Sequence, residues 1–497
     1  MRERRISLFL VAVLAIYVAQ ATMIGRLSGF DEPWYKSAGR EWGLHGRFAS
    51  PELTGFMPNL DPPPERVYFP YTPLYSFLFG VLVRVAGFGW RQCVGYDAAI
   101  HATLAGLTYV LARRLGGDRL PRLGALAAAL AVLAMGEVEG RPDELAMSFA
   151  MLGLIVAVGG PIGWARAAAS GALFGLCAGT SVGAAVMLGY IAFAVLVTAP
   201  SPWPRRVASC LVWGLSAGVV LGLVVAPILI PHPRAIDQFS TVARMHVSVG
   251  NLVTRFFSYY RSLRPIVRGL APVLLIGLWL STGTVRTGGA GRWLRLWLGP
   301  ILGIGFMLAT VPQKLTYLWF LGPWMIVATA SELALAWPAL PSWKRVVVAA
   351  VLAGAFVLGS EKAARNTLIL ATLPPSQRAD HNEKLLAALI PAGRSVLTLD
   401  SWWLLARDHV VYDARWALVP PSAVDFVVVT GNGSGVPGQP VFLDFPLEKE
   451  YHLIADNLNR SRPTFLGRSL TNSSNGFGAL VYERNQPATM TPKEARP

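Results

Sequence analysis

Apolar runs of about 16–25 residues recur along the chain from residue 6 to about residue 361. A helix needs about 20 such residues to cross the hydrocarbon core of a bilayer. The composition agrees, because 53% of the residues are hydrophobic, 14% are charged and the mean hydropathy is +0.46. We therefore predict a polytopic α-helical membrane protein. Its net charge of +16 indicates basic loops at the membrane surface rather than binding of nucleic acid.

The basic residues of the short loops set the predicted orientation, because such residues are enriched on the cytoplasmic side. Three arginines among the first five residues place the N-terminus in the cytoplasm, and the run 6–25 is then a retained signal anchor. If the next run, 73–89, also crossed, the basic loop 113–122 would lie outside. We therefore expect 73–89 to lie in the outer interface as a juxtamembrane helix.

With that assignment, nearly every basic short loop falls on the cytoplasmic side, and the count is about eleven spans. The predicted spans are 6–25, 96–112, 121–136, 145–160, 167–181, 183–199, 207–230, 268–282, 296–311, 315–335 and 346–360.

The chain changes character after the last span. From about residue 376 it is less hydrophobic, with both strand-like and helix-like stretches. We predict a transmembrane domain over 1–361, with a first external loop at 26–95, and a small extracytoplasmic α/β domain over 362–497. The strand-like runs are 395–400, 425–430 and 477–482, and the helix-like stretches are 381–390 and 447–460.

Two adjacent carboxylates, Asp31 and Glu32, follow the first span closely. Carboxylates beside a bilayer are costly to place, and desolvation raises their basicity, which suits a general base. The alternative is that they are two solvated acids at the end of a helix.

Three further groups fall on the outer side in this topology: a Pro-rich stretch at 61–75, an acidic cluster at 137–144 and a basic loop at 231–267. The basic loop lies where positive charge is disfavoured, so it needs an explanation. Carboxylates can deprotonate an acceptor hydroxyl, and Arg and Lys can hold a leaving phosphate. The combination fits transfer of a sugar from a lipid phosphate, because no nucleotide sugar is available outside the cytoplasm.

Each of these groups also has a structural interpretation. Asp143 after Pro142 could cap the fourth span. The arginines of the basic loop could bind anionic headgroups, and Lys314 could be an interfacial anchor. We interpret Asp97 and His101, inside the second span, as structural.

The order of these motifs resembles the GT-C superfamily of membrane glycosyltransferases. More narrowly, it is similar to the protein O-mannosyltransferase and aminoarabinose-transferase branch and its bacterial relatives. The resemblance covers about residues 1–335, and the family's His-Pro-Pro-Leu and Thr-Lys read Tyr-Thr-Pro-Leu and Thr-Ser here. The matching segments are GFDEPWY at 29–35, YFPYTPLY at 68–75, EGRPD at 139–143 and VPQKLTY at 311–317.

The resemblance implies an inverting transfer of a sugar from a polyprenyl-phosphate donor to an extracytoplasmic lipid, glycan or protein acceptor. It implies Asp31 as general base, with Glu32 beside it and Asp143 as a second acid. It assigns no cofactor and leaves a divalent metal open. It also implies an integral protein of a bacterial plasma membrane, surrounded by membrane lipids. The candidate substrate-binding residues are Tyr35, Tyr68, Tyr75, Arg141, Glu144, Arg255, Arg261, Lys314 and Tyr317.

A membrane transporter or lipid flippase is the main alternative. Transport usually needs polar groups near the bilayer midplane, at broken helices. In this chain the acids cluster at the predicted outer rim, which favours the enzyme. A non-catalytic membrane scaffold is the third interpretation, and it would not need Asp31 beside Asp143.

Overall fold

The structure is a computed structural model. The first and third predicted spans lie outside the residues that it describes. The described residues are 32–55, 57, 59–116, 141–158, 163–246, 264–286, 289–310, 320–359, 368–369, 371–372, 379–398, 408–413, 424–430, 450–456, 464–465, 468–469 and 479–485.

Helices make up almost all of the described chain as far as residue 359. Every predicted span within the described residues overlaps one or more of them. The helices are α1 Glu32–His45, α2 Leu74–Ala86, α3 Trp90–Gly116, α4 Asp143–Val158, α5 Trp164–Thr180, α6 Val182–Val197, α7 Trp203–Leu229, α8 Ile236–His246, α9 Arg264–Arg286, α10 Ala290–Trp293, α11 Gly299–Thr310, α12 Gly322–Ala336, α13 Ser342–Gly359 and α14 Ala379–Leu389, with a π-helical turn at Leu294–Leu298.

One helix among the described residues, α7, is long and apolar enough to cross a membrane by length and composition. Helices α2 and α6 are apolar but shorter. The count of about eleven spans therefore stays a prediction.

Helices α3 and α4 lie side by side and run in the same direction. His101 Nε2, about halfway along α3, lies 3.9 Å from Glu144 Oε1 at the start of α4. Arg114 Nη1, near the end of α3, donates to the carbonyl of Ile155, near the end of α4, at 3.2 Å. We call the end of the bundle at the start of α4, which carries Asp97, Asp143 and Glu144, the acidic end.

The opposite end of the bundle, which we call the arginine end, carries Arg114, Arg292 and Arg295. Arg292 donates to the Ser331 hydroxyl at 2.6 Å, and Ser331 donates to the carbonyl of Leu115 at 3.3 Å. Arg295 donates to the carbonyl of Thr198, just past the end of α6, at 3.0 Å. Arginines thus satisfy carbonyls at helix C-terminal ends, where the helix dipole also favours positive charge.

Helix α2 packs along α1 through a close approach of the two backbones. A Cβ added at Gly39 would lie 2.2 Å from the carbonyl oxygen of Ser76, and one added at Gly80 would lie 2.6 Å from that of Gly39. Only glycine permits this approach. Residues 73–89 are thus largely helical, as predicted, while their place in the membrane interface stays a prediction.

The C-terminal part forms a five-stranded mixed sheet in the order β2-β1-β3-β7-β4. Strand β1 pairs in parallel with β2 and β3, and β7 pairs antiparallel with β3 and β4. Leu386 of α14 and Ile390, the residue after its end, pack on this sheet. The strands are β1 Ser395–Thr398, β2 Val410–Asp413, β3 Phe426–Thr430, β4 Tyr451–Asp456 and β7 Ala479–Arg484, with a separate hairpin of β5 Thr464–Phe465 and β6 Arg468–Ser469.

One prediction for this part is wrong. The stretch 447–460 was expected to be helical, but β4 runs through it. An edge strand buries few side chains: Tyr451 is buried, whereas His452 and Leu453 are exposed. The stretch therefore lacks the apolar alternation that marks a strand.

Strand β2 lies against the 3₁₀ turn Pro51–Leu53, so the sheet sits beside the loop that follows α1. The boundary between 361 and 362, and the extracytoplasmic position of the sheet, stay predictions.

Candidate functional site

The predicted site residues divide into two groups. The structure describes the side chains of Tyr35, Tyr68, Tyr75, Arg141, Asp143 and Glu144. Glu32 is the first residue of α1, but its side chain is not among those described. A direct role in the reaction stays a prediction for every one of the candidate residues, whether or not the structure describes it. Outside the described residues lie Asp31, Arg255, Arg261, Lys314 and Tyr317.

Asp143 is buried at the first position of helix α4, with side-chain donors on both carboxylate oxygens. Arg141 Nε lies 3.0 Å from Oδ2, and the Ser181 hydroxyl donates to Oδ1 at 3.0 Å. The start of a helix also favours negative charge. A capping role alone does not account for Asp143, because one oxygen is held by the neighbouring Arg141 and the other by Ser181, from the turn between α5 and α6.

Glu144 follows Asp143 and is also buried. His101 approaches it from α3, with Nε2 at 3.9 Å from Oε1. The other ring nitrogen, Nδ1, lies 3.1 Å from the carbonyl oxygen of Asp97. A carbonyl can only accept, so Nδ1 carries a proton and Nε2 is the nitrogen that faces Glu144.

The side chain of Lys36 is fully buried against α3. Its ammonium lies 2.8 Å from Asp97 Oδ2, and the Tyr75 hydroxyl donates to Asp97 Oδ1 at 3.1 Å. The rings of Phe79 and Tyr96 flank the ammonium, with centroids at 5.3 and 5.9 Å. Side chains from α1, α2 and α3 therefore meet at a single carboxylate.

Aromatic rings pack together beside this ion pair. The ring of Tyr35 lies 4.8 Å from that of Tyr71 and 6.4 Å from that of Tyr75, between centroids. The hydroxyl of Tyr68 donates to the carbonyl of Trp34. Tyr35, Tyr68 and Tyr75 are buried, while Tyr71 is partly exposed. The buried rings shape this region, and their contact with a substrate stays a prediction.

Gln238, on α8, fixes the Pro-rich stretch. Its buried amide donates to the carbonyls of Pro62 and Val67 at 2.6 and 2.8 Å and accepts from the Phe69 amide at 2.8 Å. Helix α8 immediately precedes the part of the basic loop that holds Arg255 and Arg261. One side chain therefore ties the Pro-rich stretch to the first part of the basic loop.

A second buried charge cluster lies between α1 and the turn Pro51–Leu53. Arg40 Nη2 lies 2.8 Å from Glu52 Oε1. Burial raises the pKa of Glu52 above its ordinary value, although the Arg40 guanidinium opposes that rise.

Among the residues that the structure describes, no group of three or more His, Cys, Asp or Glu side chains is arranged to hold a metal ion.

Sequence reasoning missed the role of Ser181 and the links made by Lys36, Asp97 and His101. Asp97 and His101 stand one helical turn apart in an otherwise apolar run. Ionisable residues inside such a run usually pair with one another or face a functional site. That spacing was the available signal, but the partner on α1 could not be read from it.

Comparison with solved structures shows the fold. The crystal structure of ArnT from Cupriavidus metallidurans bound to undecaprenyl phosphate aligns with a TM-score of 0.59 at 16% identity, covering 99% of this chain and 100% of that one. The apo structure of the same protein aligns with a TM-score of 0.58 at 16% identity, covering 96% and 97%. No protein-family model matches the sequence, and no curated protein does.

The chain therefore has the fold of these ArnT structures, in agreement with the resemblance that its sequence motifs carry. At this identity the likeness establishes the fold and leaves the activity to be proposed.

Proposed function

We propose that this chain is an integral-membrane glycosyltransferase that moves a sugar from a polyprenyl-phosphate donor to an extracytoplasmic acceptor. One observation carries the proposal: Asp143 and Glu144 are buried at the start of α4, beside α3, and α3 pairs through Asp97 with Lys36 of α1. Helix α1 begins directly after Asp31. The ArnT structure with undecaprenyl phosphate supports a lipid phosphate as the donor class.

In the proposed reaction, Asp31 takes the proton of an acceptor hydroxyl. The acceptor oxygen attacks the anomeric carbon from the face opposite the phosphate, so the configuration inverts. The bond between the anomeric carbon and the phosphate oxygen breaks, and Arg255, Arg261 and Lys314 hold the leaving phosphate. Asp143, held by Arg141 and Ser181, orients the acceptor or the donor.

The proposal also includes sidedness. The acidic end would face the extracytoplasmic side, together with the C-terminal sheet. The arginines that collect at the other end support this orientation, because basic residues favour the cytoplasmic side. The contact of β2 with the turn Pro51–Leu53 supports a shared side for the sheet and the first loop.

Mass spectrometry of polyprenyl-phosphate sugars and glycans tests the proposal. Cells that lack this protein should accumulate one sugar-loaded lipid phosphate and lose one sugar from an envelope glycan or protein. Restoring the wild-type chain should reverse both changes, and the Asp31→Asn chain should reverse neither. Unchanged lipids and glycans, with an altered distribution of a lipid or solute across the membrane, would instead support a transporter.

A further inference from the structure

The ion pair between Lys36 and Asp97 is costly for what it contributes to folding. Taking both charges out of water costs several kcal/mol per ion, and well-packed apolar residues often stabilise a core as well or better. Lys36 is 0% exposed and Asp97 is 4% exposed. An ion pair buried this deeply is therefore poorly explained by stability alone, and we look for a second role for it.

The pair is continuous with the acidic end. The Asp97 carboxylate accepts hydrogen bonds from the Lys36 ammonium and the Tyr75 hydroxyl. The Asp97 backbone carbonyl accepts a hydrogen bond from Nδ1 of His101. His101 in turn faces Glu144 on α4. The connection passes from α1 through α3 to α4 without leaving the buried interior.

The connection has consequences for geometry at the start of α1. Lys36 stands four residues after Glu32, so the two lie on one face of the helix. Anchoring Lys36 fixes the rotation and height of the first turn of α1, and Asp31 precedes that turn directly. At the other end of the connection, His101 Nε2 packs 3.9 Å from Glu144 Oε1, and Glu144 directly follows Asp143.

We propose that Lys36, Asp97 and His101 are positioning residues that hold the start of α1 and the acids of α4 in register for sugar transfer. This inference rests on the proposed function. None of the three residues needs to touch the substrate. Their effect is on the placement of Asp31 and Glu144, and a misplacement of about 1 Å can reduce turnover on the order of 10²-fold.

The test replaces the ion pair by apolar side chains of similar size. The variant Lys36→Met/Asp97→Leu leaves no buried charge without a partner, so we expect it to fold with a Tm near that of wild type. Purified protein is assayed in proteoliposomes with a sugar-loaded polyprenyl phosphate. We expect kcat to fall by about 10²-fold while KM for the donor stays near wild type. A purely stabilising pair would not produce that division between kcat and KM.

A matched control exists at the arginine end. Arg292 and Glu332 form another interhelical ion pair, with Nε at 3.1 Å from Oε1. Arg292→Met/Glu332→Leu changes charge and volume in a similar way, and we expect it to leave kcat near wild type.

A second variant keeps the test decisive if the double replacement does not fold. His101→Asn retains a donor for the carbonyl of Asp97 and lacks the nitrogen that faces Glu144. We expect a lower kcat with an unchanged KM. Wild-type kcat in the folded variants, beside an active wild-type enzyme, would overturn the positioning role alone. A wild-type protein that transfers no sugar would overturn the proposed function and this inference with it.

Discussion

The acidic end and the arginine end of the helical bundle both carry charged side chains, but they bury and pair them differently. Asp97 and Asp143 are buried, whereas Arg114, Arg292 and Arg295 are exposed or partly exposed. At the arginine end, Arg114, Arg292 and Arg295 all donate to backbone carbonyls. The bonds from Arg114 and Arg295 complete helix ends, which need partners in any fold. At the acidic end, Asp97 and Asp143 instead take side-chain donors from neighbouring segments.

At the arginine end the buried acid Glu332 pairs with Arg292, one of those arginines, so a structural explanation covers it. The difference teaches that the charges of the arginine end have a structural explanation, whereas the network of acids that joins α1, α3 and α4 needs a chemical one.

The sharpest way to break this comparison is to show that the two ends do not face opposite sides of a membrane. We predict that a cysteine at Arg66 or Lys384 reacts with an impermeant maleimide in intact cells, and that one at Arg113 does not. All three positions are exposed, and the three native cysteines would first be replaced. Labelling at Arg113 alone would reverse the orientation and place the acidic end in the cytoplasm.

The largest expected effect on activity comes from Asp31. Asp31→Asn removes the proposed base, and we expect transfer to fall by on the order of 10²-fold or more with folding intact. The double variant Asp31→Asn/Asp143→Asn should lose less activity than the product of the two single losses, because both acids act in the same step. Asp237→Asn, at an exposed acid on α8, is the control. Near-wild-type turnover in Asp31→Asn would end the proposal that it is the base.

A smaller effect should follow from removing positive charge beside the acidic end. Arg255→Ala or Lys314→Ala should weaken donor affinity by about tenfold, because each loses a charge-assisted hydrogen bond to the phosphate. Arg113→Ala, an exposed arginine at the arginine end, is the matched control. Donor affinity unchanged across all these variants would mean that the basic loop contacts only headgroups.

The smallest expected effect concerns pH and Glu52. Folding raises the pKa of Glu52. The stability that Glu52 contributes is therefore fully present below pH 4.5, its pKa in the unfolded chain, and is lost as the pH rises through its pKa in the folded protein. Glu52→Gln has the shape of the protonated Glu52 side chain and cannot ionise. We therefore expect the Tm of the variant to rise relative to that of wild type as the pH increases from acidic to alkaline. Asp61→Asn, at an exposed carboxylate of the same loop, is the control. A gain that shrinks toward alkaline pH would contradict this.

Much of the fold could be predicted from the sequence, because long apolar runs and basic loops carry direct information about helices. The predicted spans 167–181 and 183–199 leave almost no residues between them, and α5 and α6 are indeed separated by Ser181 alone. The local sequence pattern does not predict β4, because this edge strand buries few side chains and so lacks apolar alternation.

The site was predictable only in part. Asp143 could be found because it follows a short motif, Arg141-Pro142-Asp143. The bond from Ser181 and the pairing of Lys36 with Asp97 join segments distant in the sequence, so no local spacing predicts them. The sequence does not show that His101 faces Glu144, because that contact depends on α3 and α4 packing side by side in the same direction.

Two buried carboxylates allow the comparison between the ends to be measured directly. Asp143 lies 3.0 Å from Arg141 Nε, and Glu332 lies 3.1 Å from Arg292 Nε. Both are buried at helix ends of the same bundle. They differ in the end of the molecule that they occupy, so each is the control for the other.

The decisive measurement is the rate of sugar transfer by purified Asp143→Asn and Glu332→Gln in proteoliposomes, at equal amounts of folded protein. We predict that Asp143→Asn loses activity by on the order of 10²-fold, while Glu332→Gln transfers sugar at close to the wild-type rate. Equal losses in the two variants, or full activity in Asp143→Asn, would contradict a catalytic site at the acidic end.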